Sequence, residues 1–202
     1  IWGTGNSYDF SKLAESQKVV VITINYRLGP MGWFSSSHLR NTSEGDDRSS
    51  NFGHLDIIAA LEWVQENGNS FGGDPTNVTI FGESAGGHNV LVLLATKKAR
   101  GLFHKAISQS GYVSSFSEQF ASEESELSSA KVFQDDIRFL TEDQQIADYL
   151  RDIPIKEVFQ RYKQADESHL YSISPISIRD DIVIPKEGIY KALEDVDPSV
   201  VV

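Results

Sequence analysis

Residues 78–87 read Val-Thr-Ile-Phe-Gly-Glu-Ser-Ala-Gly-Gly, and this stretch decides the fold. Its β-branched and aromatic opening at 78–81 predicts a buried strand. The residues that follow contain an apolar run, residues 90–94, which predicts a helix. Ser84 therefore falls on a strand-to-helix turn inside a Gly-x-Ser-x-Gly motif, the sequence context of a nucleophile elbow.

An elbow of this kind needs particular residue types around its serine. We expect Gly82 and Gly86, followed by Gly87, to let neighbouring backbone approach where a Cβ would clash. The turn exposes the Ser84 hydroxyl and leaves the Ala85 amide at a helix N-terminus, where it can donate to a developing oxyanion. The motif alone is weak, since it arises by chance in roughly one chain in twenty. The alternative is a glycine-rich connection with an incidental serine.

Length and composition describe an ordinary globular protein. The chain has 202 residues, enough for one sizeable domain, and is 40% hydrophobic and 23% charged. No apolar run approaches a membrane span, and no signal peptide is visible. The first residue is Ile1, within sequence typical of a folded domain. We therefore expect residues 1–202 to be one partial domain of a larger protein.

The charge and the cysteine content exclude several kinds of function. A net charge of −11 argues against a nucleic-acid-binding surface. Most of the excess lies after Tyr112, where a solvated helical surface is the favoured interpretation and an acidic binding face the alternative. The absence of cysteine excludes disulfides and cysteine metal sites, and it favours a bacterial cytoplasm or periplasm.

The first half of the chain alternates between strand and helix patterns. Residues 19–26 form a continuous β-branched run, which predicts a strand buried on both faces of a parallel sheet. Helices are predicted at 10–17 and 55–67, and a further strand at 103–108. This order predicts an α/β fold, with a mostly parallel sheet flanked by helices and joined by right-handed crossovers.

The second half of the chain is predicted to be mainly helical. Residues 114–171 form a helical, cap-like excursion with candidate helices at 122–133, 141–151 and 155–165. Thr141 is the expected N-cap of the second helix, with Gln144 closing a capping box. Beyond the excursion we expect an extended piece at 182–185, a short helix at 188–193 and a strand beginning at 198.

Together these segments resemble the type-B carboxylesterase family, the α/β-hydrolases that include carboxylesterases and cholinesterases. The matches are dense from residue 1 to 111 and sparse afterwards. They occur in the family's order at five separated places, namely residues 21–32, 60–67, 71–75, 78–87 and 101–111. Two positions depart from the family pattern, because His88 stands where a small residue is usual and Ile57 where Gln is usual.

The resemblance implies a serine hydrolase acting on carboxylic esters. Ser84 matches the nucleophile that forms an acyl-enzyme, and Ala85 matches the oxyanion donor. Glu83 and Ser110 match positions near the triad, a weaker transfer. The implied partner is a small-molecule ester, and neither a metal nor an organic cofactor is implied. The family's His-Gly-Gly stretch, triad acid and triad His all fall outside residues 1–202, so we expect this stretch alone to be inactive or nearly so.

The sequence offers five histidines as substitutes for the missing base. In α/β-hydrolases the His follows the acid and comes after a late strand, and none of the five does. We therefore expect each to be a surface or packing residue: His38, His54, His88, His104 and His169. Asp56 and Asp74 are likewise interpreted as structural carboxylates. The aromatic residues Trp2, Trp33, Phe34 and Phe81 are interpreted as core residues in preference to an acyl pocket.

A second class of function stays open at this point. Some relatives with this fold serve as non-catalytic binding or adhesion modules. The intact elbow around Ser84 and the absence of cysteine favour the enzyme over an extracellular adhesion protein.

Overall fold

The computed structural model describes residues 3–168, 176–194 and 196. The chain divides into two compact units. The elbow unit comprises Ile1–Leu28, Gly53–Val113 and Ile189–Val202, and the helical unit comprises Gly29–Phe52 and Ser114–Gly188. Within the described residues, no helix is both long enough and apolar enough to cross a membrane.

Helices outnumber strands in the described part of the chain. The strands are β1 (Thr79–Glu83), β2 (Lys105–Gln109), β3 (Phe116–Ser117) and β4 (Ile178–Arg179). The helices are α1 (Ser11–Gln17), α2 (Gly29–Gly32), α3 (Ser37–Asn41), α4 (Phe52–Asn67), α5 (Ala85–Ala95), α6 (Ser129–Val132), α7 (Gln134–Ile137), α8 (Asp143–Asp152), α9 (Ile155–Ser168) and α10 (Ile189–Leu193).

The elbow unit is built on a two-stranded parallel sheet. β1 pairs with β2 in a register that runs from Thr79 opposite Lys105 to Glu83 opposite Gln109. The helix α5 packs on both strands and buries Val92 and Leu93. These contacts confirm the predicted strand, turn and helix around Ser84. The predicted helices at 10–17 and 55–67 are also confirmed, as α1 and α4.

The predicted buried strand at 19–26 is wrong for this structure. No strand is formed there, and Val19, Val20 and Ile22 are 47%, 46% and 41% exposed. The Asn25 side chain instead accepts a hydrogen bond from the Gly5 amide at 2.8 Å. The physical reason is that a strand needs ladder partners, and the described residues place none beside this segment.

The helical unit buries an aromatic cluster. The ring of Phe34 lies 6.2 Å from that of Phe133 and 6.4 Å from that of Tyr162. Burial raises the pKa of Tyr162 far above its ordinary value, so its hydroxyl stays neutral. The unit also holds the short parallel pair of β3 and β4, so the excursion is not helical throughout.

The long helix predicted at 122–133 is wrong. The structure has a π-helical turn at Phe120–Glu124, a break, and then α6. Serine side chains explain the break: the Ser125 hydroxyl accepts from the Leu127 amide, and the Ser128 hydroxyl accepts from the Lys131 amide. Such bonds compete with the helical ladder and favour caps.

The remaining predictions have mixed outcomes. The helix at 155–165 is confirmed as α9, but α8 begins at Asp143 with Glu142 as its N-cap, so the Thr141–Gln144 capping box is wrong. The side chain of Asp143 binds His38 and Asn41, and these contacts fix the start of the helix. Residues 182–184 form a bend instead of an extended piece. The helix at 188–193 is confirmed as α10, and the strand from 198 lies outside the described residues.

Candidate active site

The turn between β1 and α5 has the geometry of a nucleophile elbow. Ser84 is the N-cap of α5 and has φ 54° and ψ −112°. A positive φ is costly for a residue with a Cβ, so surrounding contacts must hold it. The Ser84 amide donates to the Gln109 carbonyl at 2.9 Å, and the Ser84 carbonyl accepts from the His88 amide at 2.9 Å. With its backbone fixed in this way, the serine side chain stays exposed.

The elbow glycines do not all serve the same purpose. A Cβ at Gly82 would lie 2.5 Å from the Gly86 carbonyl oxygen, and one at Gly87 would lie 2.7 Å from the Gln109 carbonyl oxygen. Both positions therefore require glycine for packing. A Cβ at Gly86 would meet nothing within 4 Å, so the clash expected for a side chain at this position is wrong.

Ala85 is the first residue of α5. The amide of a first helical residue has no acceptor within the helix and points out of its N-terminus. That end of the helix carries partial positive charge. The role of the Ala85 amide as an oxyanion donor stays a prediction.

The residues after β2 hold the elbow from the other side. The Ser108 hydroxyl donates to the Gly87 carbonyl at 2.9 Å. Ser110 has a φ of 54° and lies between Gln109 and Gly111, both of which approach the elbow closely. Glu83 is the last residue of β1 and is exposed. The structure thus brings Glu83, Ser84 and the Ser110 loop to one end of the sheet.

His88 is a buried packing residue of the first turns of α5. Its Nδ1 lies 2.5 Å from the Tyr112 carbonyl oxygen, and its ring stacks on the Tyr112 ring at 4.1 Å. Burial lowers the pKa of His88, and the bond to Tyr112 opposes this only in part. His88 therefore ties the elbow helix to the chain after β2 in an uncharged form.

A chain of polar side chains joins α4, α5 and the segment 19–26 within the elbow unit. The His54 Nε2 lies 3.1 Å from the Asn89 Oδ1, and the Asn89 amide donates to the Tyr26 hydroxyl at 2.9 Å. Burial raises the pKa of Tyr26. Sequence reasoning missed this chain, because His54 and Asn89 each stand one residue before a predicted helical segment.

The other candidate bases have structural partners, and His169 lies outside the described residues. The His38 Nδ1 lies 2.7 Å from Asp143, and the His104 Nδ1 accepts from the Val78 amide at 3.1 Å. No hydrogen bond between the Ser84 hydroxyl and an imidazole occurs in the part of the chain that the structure describes. The expectation of packing or surface histidines holds for the four described ones.

The candidate acids are structural, as expected. Asp56 binds the Arg27 guanidinium at 2.8 Å and also accepts from the Arg27 amide at 2.8 Å. Asp74 accepts from the amide and the hydroxyl of Thr76. These hydrogen bonds lower the pKa of both carboxyl groups, against the desolvation of Asp56.

The candidate pocket aromatics that the structure describes belong to two different compact units. Trp33 is buried and Phe34 lies in the aromatic cluster, both in the helical unit. Phe81 belongs to the elbow unit, is 46% exposed and packs edge-on against Phe10. Trp2 lies outside the described residues. Over the described ranges, no group of three or more His, Asp or Glu residues is arranged to hold a metal ion.

Comparison with known proteins identifies the family. The model of the carboxylesterase family matches residues 1–198. The chain belongs to this family. It is 54% identical over 109 residues to the para-nitrobenzyl esterase of Bacillus subtilis, which covers 54% of this chain and 21% of that protein. It is 52% identical over 112 residues to carboxylesterase 1E of Rattus norvegicus, which covers 55% of this chain and 18% of that protein.

Solved carboxylesterase structures share the fold. A structure of PNB esterase matches 95% of this chain and 39% of its own, with a TM-score of 0.77 and 37% identity. A carboxylesterase of Geobacillus stearothermophilus covers 95% of this chain and 38% of its own, with a TM-score of 0.73 and 33% identity. The α/β-hydrolase fold expected from the sequence is thereby confirmed. The chain spans about a fifth of the length of the curated carboxylesterases it matches.

Proposed function

We propose that the whole protein hydrolyses carboxylic esters through an acyl-enzyme on Ser84. The observation that carries this proposal is the backbone of Ser84, which holds φ 54° at the junction of β1 and α5 with its side chain exposed. Membership of the carboxylesterase family supports it. So do the names of relatives, among them a medium-chain fatty acyl-CoA hydrolase precursor of Anas platyrhynchos.

The chemistry divides into two acyl transfers. The Ser84 oxygen bonds to the ester carbonyl carbon, the carbon–oxygen bond to the alcohol breaks, and the serine proton passes through a base to the departing alcohol. Water then bonds to the acyl carbon, the acid leaves, and Ser84 regains its proton. In both steps the Ala85 amide stabilises the negative oxygen of the tetrahedral intermediate.

We propose supporting roles for the residues around Ser84 and Ala85. Gly82 and Gly87 let the elbow pack against Gly86 and against the end of β2, while Gly86 leaves open space beside its own Cα. Glu83 and Ser110 flank the nucleophile at the end of the sheet. The family resemblance, together with these positions, supports assigning both to the surroundings of the triad.

We also propose that residues 1–202 form part of one α/β-hydrolase domain, with residues 114–171 as a helical, cap-like excursion. The clustering of Ser114–Gly188 with Gly29–Phe52 in one compact unit supports the assignment of the excursion.

Ester hydrolysis by the whole protein tests the proposed function. We expect a p-nitrophenyl ester to be hydrolysed, and S84A to lower kcat by at least about 10⁴-fold with the fold retained. The matched control is S70A, since Ser70 is an exposed serine of the elbow unit remote from the turn in sequence. Equal rates for wild type and S84A would overturn the proposal and favour a non-catalytic binding protein.

A further inference from the structure

A cavity in the helical unit lies outside the elbow. It encloses about 320 Å³, a volume in the range of small-molecule sites. Its walls combine apolar side chains with hydroxyl groups and three arginines. The residues on which the inference rests are Phe34, Leu39 and Phe52 on the apolar side, Ser36 and Ser50 with their hydroxyls, and Arg48.

Two of these hydroxyls have no partner among the described residues, although they are not fully buried atoms. The side chains belong to residues that are only 6% (Ser36) and 4% (Ser50) exposed. Neither hydroxyl makes a hydrogen bond with any residue that the structure describes, whereas the neighbouring Ser49 hydroxyl donates to Asp180. Because both residues line the cavity, these two hydroxyls are available to water or to a ligand there.

One of the three arginines at the cavity has no hydrogen-bond or ion-pair partner for its guanidinium among the described residues. Arg40 pairs with Glu118 and donates to the Asp180 carbonyl, and Arg151 donates to the Ser43 hydroxyl at 3.0 Å. Arg48 makes no hydrogen bond or ion pair within the described ranges, and its charge reaches Glu118 only from a distance. A guanidinium that is free to form two parallel hydrogen bonds is suited to a carboxylate.

We propose that this cavity binds an organic monoanion, a carboxylate carried on a compact apolar body. Arg48 takes the carboxylate, the Ser36 and Ser50 hydroxyls donate to its oxygens, and the apolar wall receives the body. Asp47 also lines the cavity, and its negative charge repels any anion, polyanions more strongly than a monoanion. This site does not depend on the proposed function of Ser84.

Calorimetric titration of the protein with benzoate and benzamide tests the site. The two probes have nearly the same shape and differ in charge. We expect benzoate to bind with a Kd on the order of 1 mM. Benzamide, which cannot form a charge-assisted pair, should bind at least about tenfold more weakly at equal ionic strength.

Variants separate the proposed contacts from general electrostatics. R48Q should weaken benzoate binding about tenfold or more, and S50A by a smaller factor. The control is R100Q, because Arg100 is an exposed arginine of the elbow unit whose side chain makes no hydrogen bond or ion pair with any described residue. No benzoate binding at about 50 mM would overturn the proposal. So would equal affinities for the two probes, or equal effects of R48Q and R100Q.

Discussion

At the scale of single residues, the strained backbone of Ser84 depends on the residues packed around it. A φ of 54° costs a residue with a Cβ about 1–3 kcal/mol. The hydrogen bond to Gln109 and the contact of Gly82 with Gly86 hold the turn in that conformation. Loss of either contact should therefore release the strain and move the hydroxyl.

The two flanking glycines provide a matched pair of substitutions. G82A should lower the free energy of unfolding by about 1–3 kcal/mol, because its Cβ would overlap the Gly86 backbone. G86A should be neutral or stabilising by up to about 1 kcal/mol, since it replaces a helical glycine facing open space. Urea denaturation measures both. A loss in G86A as large as that in G82A would contradict this account of the elbow.

The lowered pKa of His88 makes stability depend on pH. The unfolded chain binds a proton near pH 6.5, while the folded protein resists it until a lower pH. The stabilisation is therefore complete above about pH 6.5 and is lost as the pH falls towards the folded pKa. The free energy of unfolding between pH 7 and pH 5 should decrease, and H88M should reduce that slope. An unchanged slope in H88M would show that His88 is not its source.

At the scale of elements, the local sequence pattern correctly predicted the helices and strands whose formation depends on local contacts. The strand and helix around Ser84, the helix α4 and the helix α9 follow their own periodicity. The strand predicted at 19–26 does not form, because a strand depends on pairing with residues elsewhere in the chain. The sequence periodicity of a segment does not show whether such partners exist. The helix predicted at 122–133 fails because the Ser125 and Ser128 hydroxyls bond to the backbone.

The candidate site divides in the same way. A motif located Ser84 and Ala85, because an elbow is a local structure. The Asn89–Tyr26 bond went unseen because it joins residues far apart in the chain. The cavity beside Arg48 went unseen because its walls depend on the irregular path of residues 34–52 and on the distant Arg151. Such partners become visible only when the fold brings them together.

The bend at 182–184 is organised by one buried carboxylate. The Asp180 Oδ1 accepts from the amides of residues 182, 183 and 184 at 3.1, 2.9 and 3.2 Å. Its Oδ2 accepts from the Ser49 hydroxyl and from the Ser50 amide. These bonds fix the segment after β4 to the segment before α4, both within the helical unit.

D180A should therefore be strongly destabilising. It leaves several buried amides unsatisfied, and we expect a loss of at least about 3 kcal/mol in the free energy of unfolding. The neighbouring D181N is the control, because Asp181 is exposed and its carboxylate has, among the described residues, only a 3.7 Å ion pair with Lys186. Chemical denaturation measures the difference. Similar losses in both variants would refute the role assigned to Asp180.

The Arg27–Asp56 pair joins the end of segment 19–26 to α4. Asp56 accepts from both the guanidinium and the amide of Arg27, so D56A should cost about 1–2 kcal/mol. The exposed Asp135–Arg138 pair is the control, and D135A should change stability by less than about 0.5 kcal/mol. Thermal denaturation at two salt concentrations measures both. A D56A protein as stable as D135A would contradict this linkage.

At the scale of the whole molecule, the chain corresponds to only part of the carboxylesterases it matches. The structural matches cover 95% of this chain but only about two fifths of the solved carboxylesterase chains. The elbow unit exposes several large apolar side chains, including Val20, Phe81 and Ile107. Catalysis by Ser84 is accordingly a property to be measured on the whole protein.

The most direct measurement is covalent labelling of the whole protein with a fluorophosphonate, read by mass spectrometry of the intact protein and of its peptides. The account predicts one adduct per chain, on the peptide that contains Ser84, and no adduct in S84A. A folded wild-type protein that gains no adduct, or gains one only at another serine, would contradict the assignment of Ser84 as the nucleophile.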